Sequence, residues 1–496
     1  MYCPSLKEFL QLAKKGNVIP VYKEINADLD TPVSAFLKIR KSDYAFLLES
    51  VEGQEKIARY SFLGSQPSVV FKSKGRNIEI IKPQSKSIDR FKTFTNPLDE
   101  IKALMKDFKA VPVKGLPRFY GGFVGYMGYD MVRFFEEIPD KNPDDLKLPD
   151  SVFMLTDTIL VFDHVNHTIK IVANIMLPRT KKLAPPELKR MYRSAVRKIE
   201  EIQSEFNRSS REIGVKEHAL SRKPAVASNF SKSKFESIVK KAKKYIKRGD
   251  IIQVVLSQRF KVKVTRPAFD IYRSLRSLNP SPYMYFLKIK DFAVIGSSPE
   301  MLVRCEDGLI ETRPIAGTRP RGKTGEEDER LARELSQDKK ERAEHLMLVD
   351  LGRNDLGRVS RMGEVKVDEF MNIEKYSHVM HLVSEVQARL DNKRFDVYDV
   401  LRSAFPAGTV SGSPKIRAME IIDELETLRR GPYAGCVGYF SFSHNMDTCI
   451  TIRTILMHKG SAYIQAGAGI VADSVPAREF YETVNKAKAL LEALTH

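Results

Sequence analysis

Two pairs of glutamates carry the clearest chemical signal in this sequence. Glu341 and Glu344 stand three residues apart within "DKKERAEHLMLVDLGRND", and Glu479 and Glu482 repeat that spacing in "VPAREFYETVNKAKALLEAL". On a helix this spacing puts both carboxylates of a pair on one face. A solvated helix face would show the same spacing, yet Glu344 adjoins the apolar run "HLMLVDL" and Glu482 follows Phe480 and Tyr481. Buried carboxylates are costly unless protonated, paired or bound to a cation. Hard oxygen ligands from two helices, with waters completing the shell, would suit Mg²⁺.

Arg453 is the second feature. Read as one strand, "CITIRTI" turns Cys449, Thr451, Arg453 and Ile455 to one face and Ile450, Ile452 and Thr454 to the other. A guanidinium in so apolar a strand calls for an anion, and its planar fork matches a carboxylate; an ion pair with a distant acid is the competing reading. In "AGAGIVADS", Gly467 and Gly469 would let a ligand approach the backbone, as would any tight strand corner. His381, beside Val and Leu, reads first as a satisfied core residue. The chain has neither a dinucleotide fingerprint nor a P-loop, and no local pairing suggests a nucleophile with its base.

These residues need a scaffold. With 496 residues the chain exceeds the size at which one core usually stops growing, so two domains or one composite unit is expected. No run approaches the roughly eighteen apolar residues of a membrane span. The N-terminus lacks the basic start and apolar core of a signal peptide, which leads to a cytoplasmic expectation. Cys3, Cys305, Cys436 and Cys449 are too scattered for a redox or metal motif. A net charge of +19 would suit nucleic acid, but the basic residues are spread along the chain without interleaved aromatics, so we expect no such partner.

Residues 1–177 alternate short apolar runs with turns, "DYAFLLESVEG" and "VVFKSKGRNIEIIK" among them. "SVFMLTDTILVFDHVNHTIKIVANI" reads as two antiparallel strands joined near Asn166. Residues 178–230 are basic, with one helix in "PPELKRMYRSAVRKIEEIQSEF" and a polar linker after it. From residue 231 to 496 a helix ("SKSKFESIVKKAKKYIKRGD") leads into strands, a long helix through "DERLARELSQDKKERAEHLMLVDLGRND", further strands and a final helix opened by Pro476. The whole reads as α+β with mostly antiparallel sheet.

In order, the segments "GDIIQVVLSQRF", "NPSPYMYF", "GSSPEML", "RPIAGTRPRG", "AEHLMLVDLGRNDLGRV", "SHVMHLVSEV", "FPAGTVSGSPKIRAMEII", "GPYAGCVGYFSF", "DTCITIRT" and "QAGAGIVADSVPAREFYET" resemble the chorismate-utilising enzymes. Among these the likeness is strongest to the large subunits of anthranilate synthases. The match runs through residues 232–491 and is looser in the N-terminal part ("LLES", "RYSFLG", "GGFVGYMGYD"). The resemblance implies two facing antiparallel sheets with helices outside. It makes 1–177 a regulatory region, 178–230 a connector and 231–496 the chorismate-binding catalytic unit.

Carried over residue by residue, the resemblance gives Glu344 and Glu482 to Mg²⁺ directly, with Glu341 and Glu479 supporting through water. It gives Tyr433, Arg453 and the Gly467–Ala468–Gly469 backbone to the substrate carboxylates, and Gly317 and Thr318 to the ring. Glu300 becomes the acid that protonates the departing C4 hydroxyl, and His381 assists loss of pyruvate. Isochorismate and salicylate synthases carry a lysine base where Gln253 stands, and aminodeoxychorismate synthase carries a lysine in place of Ala316; both departures point to anthranilate, with aminodeoxychorismate synthase the alternative. The resemblance also implies feedback by L-tryptophan, with Ser50, Pro282, Tyr283 and Met284 at the site and Glu49 as a second contact. The absence of tryptophan from the chain agrees with that regulation, and chance accounts for it equally well. No glutaminase nucleophile motif occurs, so a separate glutamine amidotransferase subunit is the expected ammonia source. A nucleic-acid-binding protein or a catalytically dead scaffold is the rival from another class.

Overall fold

The strand Tyr44–Glu49 shows how the fold is organised. Tyr44 and Phe46 pack into one core while Ala45 and Leu47 pack into another, because successive side chains of a strand leave on opposite faces. Strand Tyr283–Ile289, its neighbour, alternates in the same way, with Tyr285 and Leu287 in the first core and Met284 and Phe286 in the second. A strand buried on both faces reads as a continuous apolar run, and such a strand needs partners on each side.

In the computed structural model, which describes residues 1–40, 42–50, 59–178, 183–207, 225–376 and 379–495, two large sheets supply those partners. The first has 13 strands and runs from Tyr2–Cys3 through Val18–Asn26, Thr168–Met176, Thr158–Asp163, Tyr60–Ser65 and Tyr44–Glu49. It continues through Tyr283–Ile289, Phe292–Ser298, Thr454–His458 and Ser461–Ile470 to Gln253–Lys263, on which Val226–Ser228 and Gly412–Ser413 pair. The second has 12 strands, from Ile315–Pro320 and Val379–Arg389 at one end to the hairpins Val69–Lys74, Asn77–Lys82 and Ser87–Lys92 at the other. Each sheet draws strands from both the first 177 residues and the residues after 231. The larger core lies between the sheets, and helices such as Pro32–Ile39, Pro185–Asn207, Ala268–Leu278 and Pro476–Ala493 cover the outer face of the first. This is the α+β architecture of two antiparallel sheets expected above.

Three local expectations are corrected. The stretch 151–176 holds three strands rather than two: Ser151–Thr156 belongs to the second sheet, and the chain crosses at Asp157 to Thr158–Asp163 and Thr168–Met176 in the first. The long helix is two, Gly325–Gln337 and Lys339–Gly357. Asp338 ends the first in extended backbone and caps the second, accepting from the amides of Lys340 at 3.0 Å and Glu341 at 3.1 Å. The strand read through "CITIRTI" is also two, Met446–Ile450 in the second sheet and Thr454–His458 in the first. Most of the polar linker after residue 207 lies outside the described residues.

Candidate active site

Arg453 sits in that last crossing. It holds φ of 49°, a left-handed conformation that non-glycine residues rarely adopt, so it belongs to no regular strand. The Ser297 amide donates to the Arg453 carbonyl at 3.1 Å, and an Arg453 Nη donates to the Lys486 carbonyl at 3.0 Å. The alternation read from sequence fails here because the chain changes sheets. The guanidinium faces a cavity, and among the described residues no carboxylate lies within ion-pair distance of it. Burial pulls it below its ordinary value, which still leaves an arginine cationic.

The cavity encloses about 540 Å³ and gathers segments far apart in sequence. Gln253 and Val255 come from one strand, Gly467 and Gly469 from its antiparallel neighbour, Glu300 from the turn after Ser298, and Gly317, Thr318 and His381 from an edge pair of the second sheet. Glu341 and Glu344 project from helix Lys339–Gly357, and Glu479 and Glu482 from helix Pro476–Ala493. Tyr433 completes the wall.

The glycines are required by close approach. A Cβ on Gly467 would lie 2.6 Å from the Tyr433 hydroxyl, and one on Gly469 would lie 2.7 Å from the Gln253 amide nitrogen. Ala468, between them, turns its methyl into the core on the opposite face, so it can meet a ligand only through its backbone. Burial pushes Tyr433 up to about 12, which keeps its phenol a donor at neutral pH.

Glu300 is buried, and burial pushes its carboxyl up to about 8 against the opposing effects of the Thr409 hydroxyl and the charge of Lys486. A carboxyl with that value carries its proton at neutral pH and can donate it. His381 points Nδ1 at the Gly317 carbonyl, 2.9 Å away, with the Thr318 hydroxyl at 3.1 Å. A carbonyl only accepts, so Nδ1 holds the ring proton and Nε2 keeps its lone pair. Burial lowers the value of His381, which favours that neutral form.

The four glutamates share one wall. Burial raises Glu344, and the negative charges of Glu341 and Glu482 raise it further. Burial likewise raises Glu479, with Glu482 adding to it. Among the described residues no three His, Cys, Asp or Glu side chains converge closely enough to enclose an ion by themselves. The donors nonetheless fit Mg²⁺, which takes one or two carboxylates and keeps its remaining positions for water and substrate oxygens. The mutual repulsion of these carboxylates is the charge such an ion would neutralise.

Lys486 escaped the reading from sequence. Its ammonium pairs with Glu482 at 2.7 Å and donates to the Gly467 carbonyl at 3.0 Å, so it joins the glutamate wall to the glycine corner. Its place four residues after Glu482 on one helix was the available signal. Thr409 and Lys340 also line the cavity, and no local pattern marks them.

Ser50, Pro282 and Tyr283 border a second, smaller cavity together with Arg118, Asp447 and Tyr439. Ser50 Oγ is buried without a hydrogen-bond partner among the described residues. The Tyr283 hydroxyl donates to Asp447 at 3.1 Å, and Arg118 pairs with Asp447 at 3.2 Å. Glu49 and Met284 are register partners whose side chains leave on the far face. The Glu49 carboxylate is taken by the Tyr272 hydroxyl and by Arg276 at 3.1 Å, and Met284 packs in the helix-side core. Both therefore border this cavity through their backbone.

Residues 44–492 match the model of a family described as chorismate binding enzyme. The chain belongs to that family. Within the family it groups with component 1 chains of anthranilate synthase. It is 51% identical over 502 residues to the one from Acetivibrio thermocellus, covering 100% of this chain and 99% of that one. It is 50% identical over 492 residues to the one from Aquifex aeolicus, covering 99% and 97%. The crystal structure of anthranilate synthase component I from Streptococcus pneumoniae superposes with a TM-score of 0.77 at 36% identity, covering 94% of this chain and 99% of that one. The menaquinone-specific isochorismate synthase of Escherichia coli shares the fold with a TM-score of 0.68 at 18% identity, covering 99% of each chain. No described helix is long and apolar enough to cross a membrane.

Proposed function

We propose that this chain converts chorismate and ammonia to anthranilate and pyruvate through aminodeoxyisochorismate. The observation that carries the reading is the opposition, within one cavity, of a carboxyl that keeps its proton, Glu300, to an amide that cannot act as a base, Gln253. An enzyme adding water would need a base at the second position, whereas ammonia is already nucleophilic. Gln253 Oε1 is buried without a hydrogen-bond partner among the described residues, so it offers an acceptor to an N–H of ammonia. Ala316 supplies no amine for attack at C4.

Arg453 holds the enolpyruvyl carboxylate, Tyr433 and the backbone at Gly467 and Gly469 complete the contacts to the substrate carboxylates, and Gly317 and Thr318 lie against the ring. Ammonia forms the C2–N bond as the ring double bonds shift. The C4–O bond breaks, its oxygen takes the Glu300 proton and leaves as water, and the aminium releases a proton to solvent. In the second step His381 Nε2 is placed to accept the C2 proton as the ring C3–O bond breaks and the ring becomes aromatic; the enolpyruvate that leaves takes up a proton at its methylene carbon to become pyruvate. Glu344 and Glu482, backed by Glu341 and Glu479, would hold Mg²⁺, which supplies a positive charge for the ring carboxylate.

Ammonia reaches the chain from a glutamine amidotransferase subunit in this reading, a partner consistent with relatives named component 1. L-Tryptophan occupies the smaller cavity and inhibits, with the Ser50 hydroxyl and the Arg118–Asp447 pair as its polar contacts. The cytoplasm is the compartment proposed. Purified chain supplied with chorismate, ammonium and Mg²⁺ should produce the fluorescence of anthranilate, and EDTA should abolish it. Formation of a 4-amino product instead would favour aminodeoxychorismate synthase.

A further inference from the structure

Behind the cavity wall lies an ion pair that the chemistry above does not use. Arg430 and Glu426 are 3% and 5% exposed, far from the solvent that usually stabilises charge. Arg430 Nε donates to one Glu426 oxygen at 3.0 Å and Nη2 to the other at 2.6 Å. Its remaining capacity goes to the cavity wall. Nη1 donates to the Val410 carbonyl at 2.7 Å, Nη2 donates to the Val255 carbonyl at 2.8 Å, and the guanidinium lies 5.5 Å from the centre of the Tyr433 ring. Glu426 extends the network by accepting from the amide and hydroxyl of Ser257, each at 2.8 Å, and the Ser257 hydroxyl accepts from Gln465 at 2.8 Å.

Val255, Val410, Tyr433 and Gln465 all line the cavity, and they come from four separate segments of the chain. One buried pair thus sets their mutual positions. Stability alone is a weak reason for such a pair, because desolvating two ions offsets most of their attraction and apolar side chains of similar volume often serve as well. We infer that Arg430 and Glu426 are positioning residues, holding the Tyr433 and Val410 loops in register with strand Gln253–Lys263 so that the wall fits the substrate. The inference rests on the reading that chorismate reacts in this cavity.

The test compares three variants of the full chain with ammonia as nitrogen donor. The double variant Arg430→Met/Glu426→Leu removes both charges at similar volume. It should stay folded by circular dichroism yet lose roughly 100-fold in kcat/KM, the scale of a misplacement of about 1 Å. Arg430→Lys keeps the charge but not the planar fork, and should raise KM for chorismate by about tenfold. Ser257→Ala removes the hydroxyl that joins Glu426 to Gln465 while leaving the ion pair and the Ser257 amide bond to Glu426 intact; it should raise KM while leaving the melting temperature nearly in place, so the positioning role stays testable even if the double variant fails to fold. A purely structural pair would lower melting temperature while each folded molecule kept its parental KM and kcat; that outcome, or unchanged kinetics in Arg430→Lys and Ser257→Ala, overturns the inference. Arg453→Ala tests the cavity itself: if it still turns over chorismate at the parental rate, the reading of the cavity has failed rather than the positioning alone.

Discussion

Glu300→Gln should move activity and stability in opposite directions, a combination that only a buried, protonated acid would produce. Burial takes the Glu300 carboxyl from an ordinary 4.5 to about 8. At pH 7 such a group is roughly nine-tenths protonated, whereas an exposed glutamic acid would be protonated in about 1 molecule in 300. The amide cannot donate a proton to the departing hydroxyl, so kcat should fall on the order of 10²–10⁴-fold. Parental kcat should decline above about pH 8, roughly tenfold per unit, measured with total ammonium adjusted to keep free ammonia constant. The folded state holds a proton that the unfolded chain has released between these two values. Its stability is therefore greatest below about 4.5 and falls as pH rises through 8, by at most about 5 kcal/mol. Glu300→Gln carries no such penalty, so its melting temperature should rise relative to the parent as pH goes from 5 to 9. A variant that retains kcat within tenfold at pH 7, or shows no pH-dependent gain in stability, refutes the assignment of Glu300 as a buried acid.

Glu344→Gln and Glu482→Gln should each cost several kcal/mol in transition-state stabilisation, read as kcat/KM at saturating Mg²⁺; parental activity in both would remove the metal from the proposal. Gly467→Ala and Gly469→Ala push a methyl into the Tyr433 hydroxyl or the Gln253 amide, at 2.6 and 2.7 Å. Each should lower kcat/KM by about 10–100-fold, as overpacking costs of about 1–3 kcal/mol imply, with little change in fold. Ser50→Arg should leave turnover largely intact and abolish inhibition by tryptophan, and inhibition that survives it places the regulatory site elsewhere. Gln253→Lys installs a base, and isochorismate formed from chorismate in the absence of ammonia would be seen by chromatography; its absence would count against the role given to the amide.

Local chemistry settled much of this protein in advance. Helical spacing alone paired Glu341 with Glu344 and Glu479 with Glu482, since the period of a helix is fixed by its backbone geometry. Strand patterning located most of the sheet, since a strand packed on both faces must be apolar throughout. The errors fall where tertiary context overrides local pattern. Asp157 and Arg453 lie where the chain passes from one sheet to the other, and a run of apolar residues looks the same whether or not it changes sheets. Asp338 could not be read as a break because its capping bonds depend on the backbone turning there.

What the sequence by itself determined was the kind of groups present and the elements that carry them: two carboxylate pairs on helices, an arginine among apolar neighbours and a glycine corner. Only the tertiary structure decided that these meet in one cavity, that Glu300 is dry enough to keep its proton, and that Lys486 bridges the glutamate wall to Gly467. It also decided that Glu49 turns away from the cavity its backbone borders, toward Tyr272 and Arg276. Burial and charge environment arise from contacts between residues hundreds of positions apart, and no local pattern encodes them.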